Sequence, residues 1–149
     1  METTTPDVIA YCGLCCLDCS GHTGKIQDLA GELKRELEKA RFDKLAQNIA
    51  NVPGIGKSFG QYAAFYELLG TIAEFRCTKT CRNGGGPPVC EIRKCCGTKK
   101  IAGCWKCDEP ETCQKLKFLE TVHEDAHLKN IRTIRKKGAD GFMAGTRYW

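Results

Sequence analysis

The chain has 149 residues, 42% of them hydrophobic and 28% charged, with a formal net charge of +5 and twelve cysteines beside only three histidines. That length is one domain's worth, the composition excludes a disordered or fibrous chain, and no apolar run approaches the length of a membrane span. The opening METTTPDVIAYC has no basic segment followed by an apolar one, so the expectation is a cytoplasmic chain without a secretion signal. Thiols stay reduced there, and clustered cysteines read as metal ligands or redox groups rather than disulfides.

In chain order, the first feature is a cysteine block: Cys12, Cys15, Cys16 and Cys19. No cysteine follows until Cys77. The gap, about 23–76, reads as a helical insert. Ile26, Leu29, Ala30, Leu33, Leu37, Leu45 and Ile49 recur at three- and four-residue steps, which predicts one amphipathic helix to about residue 50. Asn51, Pro53, Gly54 and Gly56 break it. A second helix is predicted from a Ser58 cap to about Phe75, presenting Phe59, Tyr62, Phe65, Tyr66, Leu69 and Ile72. The two form a hairpin whose facing stripes are expected to supply most of the core.

The second block holds Cys77, Cys81, Cys90, Cys95, Cys96, Cys104, Cys107 and Cys113, with Gly84, Gly85, Gly86, Pro87 and Pro88 among them. This stretch has little apolar material, so the expectation is that metal ligation holds it. Beyond Cys113, Leu116, Leu119 and Val122, then Leu128, Ile131 and Ile134, predict one bent helix or two short ones ending at Gly138. The predicted fold class is therefore mainly α: a single domain over 1–149 made of a helical hairpin, an irregular metal-stapled cysteine-rich region and C-terminal helices.

Cys104 and Cys107 form a C-x2-C knuckle, whose turn points backbone N–H groups at thiolates while both sulfurs reach one ion. Cys77 and Cys81 form a looser C-x3-C. Together they are the most regular set for one site. Cys12, Cys16 and Cys19 then need a fourth ligand, with Cys113 the first choice and Cys90 or Cys95 the alternatives. In the adjacent pairs Cys15/Cys16 and Cys95/Cys96, one member of each reads equally well as a ligand or as a spectator thiol that behaves as a small apolar residue, so whether Cys15 and Cys96 are ligands stays open. Zinc is the expected metal. Cys12-x3-Cys16-x2-Cys19 also matches a spacing that holds iron–sulfur clusters, so a cluster or thiol redox chemistry is the alternative.

The run from Cys81 through Gly84-Gly85-Gly86-Pro87-Pro88 to Cys90, Arg93, Cys95 and Cys96, followed by Gly103-Cys104-Trp105-Lys106-Cys107 and Cys113, resembles the cysteine-rich domain of unknown function 3795 family of bacteria and archaea. So do the opening Tyr11-Cys12-Gly13-Leu14 with Cys16 and Cys19, and the close from Asn130-Ile131-Arg132 to Gly138. The resemblance implies a metal-binding, zinc-type protein of unassigned role. Its cysteines fall on Cys12, Cys16, Cys19, Cys81, Cys90, Cys95, Cys104, Cys107 and Cys113. Cys77 departs from it, with one residue more before Cys81 than the C-x2-C expected, and the chain ends at Trp149 where relatives continue into a further cysteine pair.

Two short motifs suggest catalysis. His123-Glu124-Asp125-Ala126-His127 is a literal H-E-x-x-H, the zinc-protease pattern, but a charged Asp125 sits inside it. The simpler reading is a junction between two C-terminal helices, with Glu124 or Asp125 capping the second. Gly54-Ile55-Gly56-Lys57-Ser58 resembles the end of a phosphate-binding loop, yet Asn51 stands where its first glycine belongs and a helix precedes it. No catalytic residue and no enzyme activity are assigned.

Residues 1–75 carry 7 Lys/Arg against 10 Asp/Glu, and residues 76–149 carry 16 against 8, so a net −3 and a net +8 make up the +5. A basic cysteine-rich half could serve a nucleic acid. However, each zinc–tetrathiolate site changes the charge by −2, and Lys79, Arg82, Arg93, Lys94, Lys99, Lys100 and Lys106 lie beside the ligands as counterions. A zinc-ribbon-like nucleic-acid interface is therefore the lesser alternative. A protein partner fits the chain but is not specified by it, and no membrane partner is expected.

Overall fold

The computed structural model describes residues 6–149. The described residues are mainly helical, with short 3-10 turns at cysteines and no strand; one antiparallel bridge joins Ile9 and Cys15. The chain divides into two compact units, 1–23 with 77–149, and 24–76.

The second unit contains α2 (Lys25–Lys39), α3 (Phe42–Ile49), α4 (Gly56–Phe59) and α5 (Tyr62–Glu74); α1 (Ser20–Thr23) belongs to the first. The single long helix predicted to residue 50 is interrupted. Arg41 adopts a left-handed conformation (φ 50°) after the C-terminal turn of α2, so α3 folds back. Phe42 then meets Tyr62, with ring centroids 5.6 Å apart. Ser58 does not cap the second helix. It lies inside α4, and α5 begins separately after Gln61.

The buried face of α2 also differs from the expectation. Ala30, Leu37 and Leu69 form the small core of this unit, with Tyr62, Tyr66, Ile72 and Ala73 packed against it. Ile26, Leu29 and Leu33 are about half exposed. The cause is close packing through small residues. A Cβ at Gly31 would lie 4.0 Å from the Ala73 Cβ, and one at Gly70 3.6 Å from Lys34 Nζ, so α2 and α5 meet along the Ala30/Gly31 side and the larger residues turn outward. Gln27, buried, donates through Nε2 to the Phe75 carbonyl at 2.8 Å and satisfies the end of α5.

The first unit contains α1, α6 (Glu91–Lys99), α7 (Glu120–His123) and α8 (Ala126–Ala144). It holds the larger core, against the expectation that the hairpin would: Ile9, Leu14, Ile92, Trp105, Leu116, Leu119, Ile131, Ile134 and Phe142 are all buried. Apolar residues spread thinly through the cysteine-rich stretch, such as Ile92 and Trp105, become a core because α8 supplies Ile131 and Ile134 opposite them. Gly138 (φ 72°, ψ 177°) breaks α8 as the sequence suggests, but the helix resumes to Ala144. Phe142, fully buried, draws that last segment onto the core.

Arginines tie this unit together. Arg82 donates to the carbonyls of Ile9 and Ala102, each at 2.6 Å, and lies 4.4 Å over the Tyr11 ring. Arg147 grips Asp18 with two hydrogen bonds of 2.7 and 3.0 Å. Buried Asn130 makes a two-way pair with the Tyr148 backbone, at 2.8 and 2.9 Å. No helix among the described residues is long and apolar enough to cross a membrane.

Candidate metal centre

The cysteine-bearing turns are positioned by backbone hydrogen bonds. Cys16 N–H donates to the Val8 carbonyl at 2.7 Å, Cys77 N–H to Gly21 at 2.8 Å, and Cys104 N–H to Tyr11 at 2.8 Å. These bonds carry the two cysteine blocks to one region of the first unit. The thiols, all free, then sort into two cavities.

The first cavity, about 260 Å³, is lined by Cys12, Cys15, Cys16, Cys19, Cys77, Cys81 and Cys90. Cys81 donates its backbone N–H to Cys16 Sγ at 3.4 Å, the N–H···S contact characteristic of ligating turns. A Cβ on Gly21 would lie 3.7 Å from both Cys19 Sγ and Cys77 Sγ, so these two sulfurs flank one glycine. Gly86 (φ 70°) passes so near Cys81 that a Cβ there would sit 3.1 Å from its Sγ. His22, Arg93, His123 and Trp149 complete the walls.

The second cavity, about 320 Å³, is lined by Cys95, Cys96, Cys104, Cys107 and Cys113 with Lys99. Cys96 Sγ and Cys104 Sγ are 4.0 Å apart. Tetrahedral zinc, with Zn–S of about 2.3 Å, spaces its sulfurs about 3.8 Å apart. Lys99 donates to Cys107 Sγ at 3.5 Å, which raises its own pKa. α6 carries Cys95 and Cys96 into this cavity, Cys90 just ahead of it opens to the first, and Ile92 lines both.

The thiols titrate unequally. Hydrogen bonding from the Cys81 side chain lowers Cys16 to about 6, helped by the Cys81 N–H and by the charges of His22 and Arg82. Cys81 correspondingly keeps its proton, its pKa raised by the bond to Cys16. Cys96 and Cys104 divide the same way, Cys96 lowered and Cys104 raised. Burial pushes Cys12 up to about 11. Each cavity therefore contains one pair of sulfurs sharing a proton, which a metal would displace. Among the described residues no three His, Cys, Asp or Glu side chains already converge on one point as a closed ligand sphere would.

This partition differs from the grouping expected from spacing. Cys77 and Cys81 do not share a cavity with Cys104 and Cys107, and Cys113 does not meet Cys12, Cys16 and Cys19. Regular spacing along the chain is a poor guide because the Cys104 turn is bonded to Tyr11 while the Cys77 segment is bonded to Gly21. Cys96, omitted from the ligand list, has a sulfur as close to Cys104 as a shared ion would require. Cys15 is fully buried in the core cluster, and burial raises its pKa.

The H-E-x-x-H residues straddle a helix junction. His123 ends α7, Glu124 turns the chain at φ 48° and ψ −122°, and His127 lies in the first turn of α8. The two imidazoles are therefore not one turn apart on one helix. Asp125 stands at the N-cap, but its carboxylate pairs with Lys129 at 2.8 Å instead of capping. His127 is buried with neither ring nitrogen bonded, and His123 meets the edge of Trp149 at 4.5 Å. The Gly54–Ser58 run is a turn leading into a helix of only four residues.

A family model described as a protein of unknown function (DUF3795) matches residues 8–118. The chain belongs to this family. The matched span of the DUF3795 model includes all twelve cysteines and both cavities' sulfurs. Neither curated proteins nor solved structures give a match.

Proposed function

We propose that this DUF3795 protein is a cytoplasmic metal-binding protein that holds metal in two separate thiolate pockets of its first unit, with zinc in a structural role in the second. The observation that carries the reading is the sorting of twelve thiols from two distant blocks around two cavities. Buried thiols need no such convergence to serve as small apolar residues. In the second pocket Cys104, Cys107 and Cys113 are the ligands, with the fourth from α6, where Cys95 and Cys96 are neighbours. In the first, Cys12, Cys16, Cys19, Cys77, Cys81 and Cys90 are the donors available. Four thiolates around zinc leave a −2 centre, and Lys99 and Arg93 stand beside the sulfurs to offset it.

The nucleic-acid reading loses support because the arginines of the basic half are engaged within the chain. Arg82 binds carbonyls, Arg135 holds the carbonyls of Trp105 and Cys107, and Arg132 and Arg147 pair with Glu111 and Asp18. The test is elemental analysis of the anaerobically purified full chain, with bound metal expected in both pockets. Folded protein containing no metal, with every thiol free to react, overturns the proposal.

A further inference from the structure

The first cavity carries more than a zinc site needs. A tetrahedral ion takes four ligands, whereas seven thiols line this cavity, Cys15 of the core among them. Three buried nitrogens without any partner also line it: His22 Nδ1, Arg93 Nε and His123 Nδ1. None of the partnerless buried atoms belongs to a residue lining the second cavity. A buried N–H left without an acceptor costs about 1–3 kcal/mol. A zinc ion adds no acceptor, whereas bridging inorganic sulfides would add several.

We infer that the first cavity takes an iron–sulfur cluster of the four-iron, four-sulfide class, held by Cys12, Cys16, Cys81 and Cys90, with Arg93 and His22 donating hydrogen bonds to its sulfurs. The inference rests on the thiolate–metal reading above and names the occupant of one of its two pockets. Among the seven thiols, Cys81 donates its backbone N–H to Cys16 Sγ at 3.4 Å, Cys12 and Cys90 pack against the same core cluster, and Cys15 is buried inside that cluster. Cys19 and Cys77 form a separate pair across Gly21. Arg93 Nη2 and Cys81 Sγ both approach Gly86, at 3.9 and 3.1 Å from a Cβ built there, and His22 lines the same cavity. Leu119, Phe118 and Trp149 give it apolar walls.

The full chain, reconstituted anaerobically with equal amounts of ferrous and ferric iron and with sulfide, tests this. The expected product is brown, with broad visible absorption and about four irons and four sulfides per chain. Cys16→Ser and Cys81→Ser should lose the chromophore, and Cys104→Ser and Cys107→Ser should keep it. Arg93→Gln should retain the iron but move the reduction potential to a more negative value, because a lost donor to cluster sulfur favours the oxidised state; this reading does not depend on the cysteine variants folding. A protein that binds only zinc, in both pockets, overturns the cluster and leaves the thiolate reading standing. So does a chromophore lost with Cys104→Ser but kept with Cys16→Ser and Cys81→Ser. A protein that binds no metal of any kind overturns both.

Discussion

A single methyl group at Gly103 and at Gly97 should act in opposite directions, because the space at one is filled and at the other open. Gly103 precedes the Cys104 knuckle with extended backbone (φ 168°) that any residue adopts, so the cost of Gly103→Ala is steric. The new Cβ would fall 2.3 Å from indole Cζ3 of Trp105 and 2.4 Å from Cη2. Restoring even a 3.0 Å contact requires the ring to retreat by about 0.7 Å, the difference between 3.0 and 2.3 Å. It has no room, being buried in the core with Ile92 and Leu116. Overpacking of this kind costs about 1–3 kcal/mol. Gly97 lies within α6 with nothing near its Cβ position, so Gly97→Ala should gain about 0.5–1 kcal/mol from reduced unfolded-state freedom. At about 2–4 °C per kcal/mol for a chain of this size, Gly103→Ala should lower Tm by about 2–12 °C and Gly97→Ala raise it by about 1–4 °C. Thermal unfolding followed by circular dichroism, at matched metal content, reads both. Equal Tm values for Gly103→Ala and the unmodified chain would refute the placement of the indole over Gly103.

Glu124→Gly should stabilise by about 1 kcal/mol, because Glu124 holds a conformation that glycine adopts freely; urea unfolding checks it, and a loss of stability contradicts the junction geometry. His127 is buried in its neutral form, its pKa lowered by desolvation from 6.5. Its folded pKa is below its unfolded pKa, so the unfolded state binds the proton first and stability falls as pH drops below about 6.5. His127→Leu should flatten that part of the profile, measured as the difference in unfolding free energy between about pH 7.5 and about pH 5.5; an unchanged slope refutes it. Cys15→Ala should keep full metal content while costing about 1–2 kcal/mol of stability, and a lost metal equivalent would make Cys15 a ligand. A strong chelator should increase hydrogen exchange around Cys77–Cys113 before the 24–76 unit loosens; unchanged exchange after complete metal removal contradicts a metal-held region.

The insert's helices were legible because a period near 3.6 survives local irregularity, and Pro53 and Gly54 mark their turn. The break at Arg41 was not, since arginine is an ordinary helix former and its left-handed conformation accompanies a long-range contact, the tilted packing of Phe42 on Tyr62. Periodicity also pointed to the wrong face of α2. It weighs Ile26, Leu29 and Leu33 above Ala30 and Gly31, although close helix approach favours the small residues. Among the cysteines, residue type singled out the thiols that line the cavities, but spacing misassigned their grouping. Which sulfurs meet depends on single long-range backbone bonds such as Cys104 N–H to Tyr11, which leave no mark in the local sequence. Cys96 was passed over because one of two adjacent cysteines on a helix is commonly a spectator, and only the 4.0 Å approach to Cys104 distinguishes it.

The division of the thiols into two independent pockets is tested most directly by metal content in three variants of the full chain: Cys81→Ser, Cys104→Ser and the double substitution. Cys81→Ser should lose the metal of the first pocket and retain that of the second, Cys104→Ser should do the reverse, and the two losses should add in the double variant. Loss of all metal from either single variant, or a double variant no poorer in metal than one single, would contradict two separate centres.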